Sequence, residues 1–208
     1  MLKCGLIALA LVGFATPAFA EEPRRQLGPH EHGVGHLAIA IEGNSIGMEL
    51  ETPANDILGF EHAPSTAAQK KTLSDAKKRL GKIAGLFALT PEAGCTLKSA
   101  DVDVLGAAAG KGKDHGHDHD HDHDHDKTAD AGKAEDHHHD HEHGAHSEFR
   151  VTYKVECADP VKLGTVAFDY FKAFKGARKL DVTVIGPKGQ SSYVVTREKP
   201  VLDLSGVS

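Results

Sequence analysis

The spacing of hydrophobic and polar positions changes several times along the chain, and each change marks an element. In HLAIAIE, residues 36–42, Leu37, Ile39 and Ile41 alternate with His36, Ala38 and Ala40. A period of two over that length predicts a half-buried strand. SIGMELE, residues 45–51, resumes the alternation with Ile46, Met48 and Leu50. Gly43-Asn44 between them is a two-residue hairpin turn signal. Folding about that turn pairs Ile41 with Ile46, Ile39 with Met48 and Leu37 with Leu50, so the apolar faces match. The same register sets His36 opposite Glu51, on the other face.

Beyond Pro53 and ANDILGFEHAPST the period lengthens. Leu73, Ala76, Leu80, Ile83 and Phe87 recur every three or four residues, which predicts an amphipathic helix over 66–88. Thr66 and Gln69 have the spacing of a capping box. Lys70, Lys71, Lys77, Lys78 and Lys82 make the solvated face. In GFEHAP, Phe60 is expected in the core, with Glu61 and His62 turned outward. CTLKSADVDVLG and EFRVTYKVEC read as strands. If Cys95 faces Cys157, residue 105 faces residue 147, and the two strands become one long antiparallel hairpin. Further on, KLGTVAFDYFKAF is a short helix or strand–helix carrying Val166, Phe168, Phe171 and Phe174. KLDVTVIG and SSYVVTRE are strands joined through the turn Pro187-Lys188-Gly189-Gln190, and VLDL is the last apolar piece. The predicted class is α+β: a mainly antiparallel sheet with one principal amphipathic helix.

The start of the chain reads as a secretory signal. Lys3 precedes the apolar run GLIALALVGFA, and Ala18-Phe19-Ala20 is a small-x-small cleavage site. The run is too short to span a bilayer. The mature chain is expected to begin at Glu21 and to form a single domain, residues 21–208, with an insert at 110–147. Export places it in an oxidising space, where Cys95 and Cys157 are expected to form a disulfide. That bond would staple the base of the long hairpin. No CxxC is present, which removes support for thiol redox catalysis.

Charge is concentrated in one place. Residues 114–146 hold eleven Asp and Glu against two Lys, a net of −9 with His neutral. The whole chain is −6, and loss of Lys3 with the signal makes it −7, so the rest of the mature chain carries −7 + 9, or +2. A segment this acidic disfavours nucleic acid and anionic membrane and favours cations.

That segment also holds twelve of the sixteen histidines: His115, His117, His119, His121, His123, His125, His137, His138, His139, His141, His143 and His146. GHDHDHDHDHDK alternates imidazole with carboxylate, and DHHHDHEHGAH follows. With almost nothing apolar to bury, the segment is expected to be disordered at the tip of the hairpin. Neutral imidazole and carboxylate are both zinc ligands. Several exchangeable Zn2+ sites are expected rather than one rigid cage. Affinity should fall as pH drops through ~6 to 7, where ordinary imidazoles protonate. Copper and nickel also bind such donors. Soft ligands are scarce, since Met48 is the only methionine after the signal.

The remaining histidines are His30, His32, His36 and His62. HEHGVGH puts three of them at i, i+2 and i+6, on one face of an extended segment unless Gly33 and Gly35 break it. The hairpin could bring His62 near His30 and His32, and with Glu61 or water these would make a preorganised zinc site.

HEHGVGHLAIAIEGNSIGMELETPANDILGFEHAP, the lysine-rich helix, AGCTL, the His/Asp insert and FKAFKGARKLDVTVIGPKGQ together resemble the ZrgA-type zinc-uptake proteins of Gram-negative bacteria. The resemblance covers nearly the whole mature chain. Its most specific pieces are HEHG, Pro53 with GFEH, and an insert placed after Cys95. It implies a periplasmic, zinc-regulated protein that assists a zinc ABC importer by delivering metal to it or to its substrate-binding protein. The family motifs carry over onto His30, His32, Glu61 and His62; His36 is not part of that signature.

The sequence thus points to a non-catalytic periplasmic zinc-binding protein with no nucleic-acid partner and no membrane insertion after signal cleavage. Two other readings stand beside it. One is a nickel, cobalt or copper store or detoxification protein. The other is a zinc hydrolase using His30, His32 and His62 with Glu61 as general base. No HExxH supports the hydrolase, and Ser74 with Lys77 is an SxxK match without partner motifs.

Overall fold

The computed structural model describes residues 31–109 and 146–207. The expected signal, His30 and the insert from 110 to 145 lie outside the described residues. The alternating segments form a hairpin of β1 (Val34–Glu42) and β2 (Ser45–Pro53). Its register is the one the apolar pattern requires: Leu37 with Leu50, Ile39 with Met48, Ile41 with Ile46, and His36 with Glu51. All six apolar residues are buried.

A short helix, α1 (Ala54–Leu58), follows β2 directly and ends at Gly59, whose backbone is left-handed. The principal helix α2 (Ala67–Leu80) starts at a capping box, with Thr66 and Gln69 satisfying each other's backbone N–H groups. Its last turn carries Lys77, Lys78 and Arg79, cations placed where the helix dipole favours them. The helix is shorter than the predicted 66–88. It stops before Gly81, the chain makes a 3-10 turn at Ile83–Gly85, and β3 (Phe87–Leu89) begins. Glycine is a poor helix residue, and Ile83 and Phe87 reach the core from the turn and the strand instead. Thus the apolar spacing was right about burial and wrong about the element.

The long hairpin is β4 (Cys95–Gly106) with β5 (Ser147–Cys157), and Cys95 is disulfide-bonded to Cys157. One correction applies to its register. An irregularity between Leu97 and Ser99 adds a residue to β4, so Leu105 faces Glu148 and Gly106 faces Ser147. Then come β6 (Thr165–Phe168), α3 (Tyr170–Ala173), β7 (Lys179–Gly186), β8 (Gly189–Thr196) and β9 (Val201–Asp203). The β7–β8 turn is tighter than predicted, with Gly186 paired to Gly189 and Gln190 already in β8.

These strands form a six-stranded sheet in the order β4-β5-β2-β1-β7-β8 and a small antiparallel sheet in the order β3-β6-β9. Pairing in the large sheet is antiparallel except between β1 and β7, which run parallel with His36 beside Asp181. Alternation within a strand carries no information about which distant strand lies next to it. One face of the large sheet packs against α2, the 3-10 turn and the small sheet. Phe87 sits edge-on to Tyr153 and Phe168 and stacks on Tyr170 between the layers. Each such buried ring contributes on the order of 1.5–3 kcal/mol. The Tyr153 hydroxyl donates to the Leu80 carbonyl at 2.7 Å, and the Tyr170 hydroxyl bonds Thr52 Oγ1 at 3.0 Å. Burial pushes both phenols far above their ordinary pKa.

The opposite face carries a cross-strand row of Asp103, Arg150, Glu51, His36 and Asp181. Arg150 pairs with Glu51 at 2.9 Å, Glu148 at 3.4 Å and Glu49 at 3.6 Å. No helix among the described residues is long and apolar enough to cross a membrane.

Candidate metal centre

The centre forms where three distant segments meet. β2 lies beside β5 with Pro53 opposite Glu148, so the chain leaving β2 starts next to the beginning of β5. After α1, Gly59 turns that chain outward and Phe60, Glu61 and His62 follow. His32, just before β1, approaches from one side, and its Nε2 is hydrogen-bonded to Glu61 Oε1 at 3.1 Å. His146, the residue before β5, approaches from the other, with Nδ1 3.3 Å from Glu61 Oε2. One carboxylate therefore bridges two imidazoles that lie 146 − 32, or 114, residues apart in the sequence.

The joint is held from below. Ser147 is fully buried; its hydroxyl donates to the Glu61 carbonyl at 2.6 Å and accepts from the Ala108 N–H at 2.8 Å. Ala108 lies just before residue 110 and Ser147 is the first residue of β5, so both roots of the insert are tied to the backbone of Glu61. Asp56 of α1 is also buried, and both its oxygens lie within hydrogen-bond reach of the Gly33 N–H, at 2.8 and 2.9 Å. Burial raises the pKa of this carboxyl, while the Gly33 bond and the nearby His32 and Arg178 oppose the rise.

His62 is exposed, turned outward as the sequence suggested. Its ring stacks on Phe60 with centroids 5.0 Å apart, its Nδ1 lies 3.0 Å from the Ala63 carbonyl oxygen, and its Nε2 is 3.5 Å from Gln69 Nε2. Phe60 itself is half-buried and outside the core cluster, which corrects the expectation that it is core. His36 is exposed on the outer sheet face beside Glu51 and Asp181, apart from His32, because Gly33 turns the chain (φ 88°) before β1 begins. The one-face arrangement expected of His32 and His36 is therefore not formed. His30, His115, His117, His119, His121, His123, His125, His137, His138, His139, His141 and His143 lie outside the described residues.

Among the described residues, no group of three or more His, Cys, Asp or Glu is arranged to hold a metal ion. Yet the donor set of His32, Glu61 and His146 is two imidazoles and a carboxylate, a chemistry that suits zinc. The carboxylate spans both rings, and these three side chains are the ones that would hold the ion. Sequence reasoning had placed His146 with the insert rather than with His32 and Glu61. No local pattern could have joined them, because their meeting depends on β5 lying next to β2.

A comparison with curated proteins finds no match. The model of the family described as ZrgA family zinc uptake protein matches residues 29–204. That span takes in HEHG from His30 onward, GFEH, both roots of the insert and FKGAR, and the chain belongs to the ZrgA family of zinc uptake proteins.

Proposed function

We propose that the protein is a non-catalytic zinc carrier of the periplasm. Exported by a cleaved signal at residues 1–20, it captures Zn2+ on the His/Asp-rich insert. It then passes the ion to a zinc ABC importer or to the importer's periplasmic substrate-binding protein. Membership of a zinc uptake family supports zinc as the cargo. The observation that carries the reading is the Glu61 bridge between His32 and His146. It ties the root of a histidine-dense arm to two donors on a folded body. Alternating carboxylates draw cations toward the arm before any bond forms. Clustered imidazoles then bind without a single cage, so the ion can move on. The site at the root, with His30 and His62 close by in sequence, offers the next set of donors along that route.

The test is transfer. The mature chain loaded with zinc is mixed with the zinc-free substrate-binding protein of the importer, and the rate of zinc movement is compared with its rate of release to a small chelator. Handover predicts a rate that rises with acceptor concentration and exceeds spontaneous release, and that drops in the Glu61→Ala variant. A rate equal to spontaneous release, at every acceptor concentration, would leave only a buffer. Loading with nickel, cobalt or copper in competition with zinc decides the storage reading.

A further inference from the structure

FKGAR, the C-terminal motif that the zinc reading does not use, lies under the N-terminal half of the centre. Arg178 Nη2 donates to the His32 carbonyl at 2.5 Å. The Arg178 and Lys179 N–H groups both donate to the Gly33 carbonyl at 2.9 Å. From the other side Asp56 takes the Gly33 N–H. The peptide groups on both sides of Gly33 are therefore gripped, one by a buried carboxylate and the other by the start of β7. Two glycines make the grip possible. A Cβ on Gly33 would lie 2.2 Å from Arg178 Nε, and its φ of 88° is one that L side chains avoid. A Cβ on Gly176 would lie 2.6 Å from Asp56 Cα and O, so only glycine lets this loop close on α1.

We propose that Asp56 and Arg178 are positioning residues for the zinc centre, which fix the turn at Gly33 and so aim the His32 imidazole at Glu61. The inference rests on the zinc reading of His32, Glu61 and His146 and names what holds that site in shape. His32 is exposed and precedes the first strand, so nothing in its own element orients it. Its direction comes from the backbone at Gly33, and that backbone is held from α1 and β7. The arrangement also gives one physical reason for HEHG, Asp56 in ANDIL and FKGAR together. They are three parts of one seat, from three separate places in the chain. Partners that orient a metal-binding histidine without touching the metal are a recurrent requirement of metal sites.

The experiment uses the mature chain, residues 21–208, with 15N-labelled histidine, and has two arms. In zinc-free protein, the contact between the His32 ring and Glu61 is followed by NMR in the wild type and in Asp56→Ala, Asp56→Asn and Arg178→Met. In the second arm the same proteins are titrated with zinc, and the midpoint at His32 is compared with the midpoints at the insert histidines. Asp56→Ala is expected to lose the His32–Glu61 contact and to shift the His32 midpoint about tenfold upward, with the insert midpoints unmoved. Asp56→Asn keeps an oxygen that can accept the Gly33 N–H and is expected to recover most of the loss. A role through charge alone would leave Asp56→Asn as impaired as Asp56→Ala. Arg178→Met, on an exposed side chain, is expected to fold normally and to weaken the contact as well. The far-ultraviolet circular dichroism spectrum reports intact folding in each variant. If Arg178→Met and a folded Asp56 variant keep the contact, the proposal is overturned. If the contact is lost as expected but wild-type His32 never responds to zinc, the positioning stands and the zinc reading of the centre fails.

Discussion

Tyr153 shows what one buried polar atom contributes. Its hydroxyl is the bond between the large sheet and the end of α2, through the Leu80 carbonyl. Tyr153→Phe keeps the ring and removes the donor, leaving that carbonyl buried. The expected loss is about 1–2 kcal/mol, read as a lower urea midpoint with an unchanged slope. Glu148 shows the cost of a carboxylate in a crowded position. Burial first, then Glu51, raises its pKa above the ordinary glutamate value of 4.5, against the pull of Arg150 and His36. The folded chain therefore holds this proton to higher pH than the unfolded chain does. Stability from this group is full below the ordinary value and is lost as pH rises from there through the folded pKa. Glu148→Gln should accordingly be no more stable than the wild type at about pH 3.5 and should gain on it as pH rises to about 7. A gap in melting temperature that stays constant over that range would refute the assignment.

At the scale of elements, the boundaries are set by chemistry that can be removed piece by piece. Thr66 and Gln69 start α2, and Thr66→Ala should cost about 1 kcal/mol, visible as a lower melting temperature with the zinc response at His32 unchanged. The disulfide fixes the base of the β4–β5 hairpin across 62 residues of sequence. Replacing both Cys95 and Cys157 with serine should cost about 2–5 kcal/mol, measured by denaturation against the oxidised wild type. Cys157 is buried in the core, so part of that loss will be packing. The elements also show where sequence patterns stop being informative. The β1–β2 hairpin was legible down to its register, because two residues of turn leave the apolar faces one way to match. The end of α2 was not, because Ile83 and Phe87 are buried at helix-like spacing while lying outside a helix.

For the whole molecule the informative quantity is how zinc couples to folding. A ligand bound only by the folded chain stabilises it by RT ln(1 + [L]/Kd), about 2.7 kcal/mol at a hundredfold excess over Kd. Zinc held equally well by folded and unfolded chains adds nothing. Histidines that are neighbours in sequence, as in the insert, remain neighbours in the unfolded chain. His32, Glu61 and His146 come together only in the folded one. Zinc should therefore raise the melting temperature of the mature protein, a chelator should reverse the rise, and Glu61→Ala should abolish it while most of the bound zinc remains. A Glu61→Ala protein that zinc stabilises as strongly as the wild type would show that the folded centre takes no part.

What the amino-acid order determined by itself is local. It set the period of each strand, the capping box at Thr66, the turn at Gly43-Asn44, the pairing of the two cysteines and the supply of metal donors. Each of these depends on residues within one turn or one hairpin, or on composition alone. The spacing in HEHG and GFEH marked His32 and Glu61 as candidate ligands, and the family resemblance carried its motifs onto the same two residues. Tertiary structure decided the rest. It set β1 parallel to β7, and by placing β5 beside β2 it brought His146 to Glu61. It also turned His62 toward Gln69 and left His36 on the outer face of the sheet beside Glu51 and Asp181. Those outcomes depend on which distant strands become neighbours. That choice follows from the packing of the whole core, which no stretch of the sequence encodes alone.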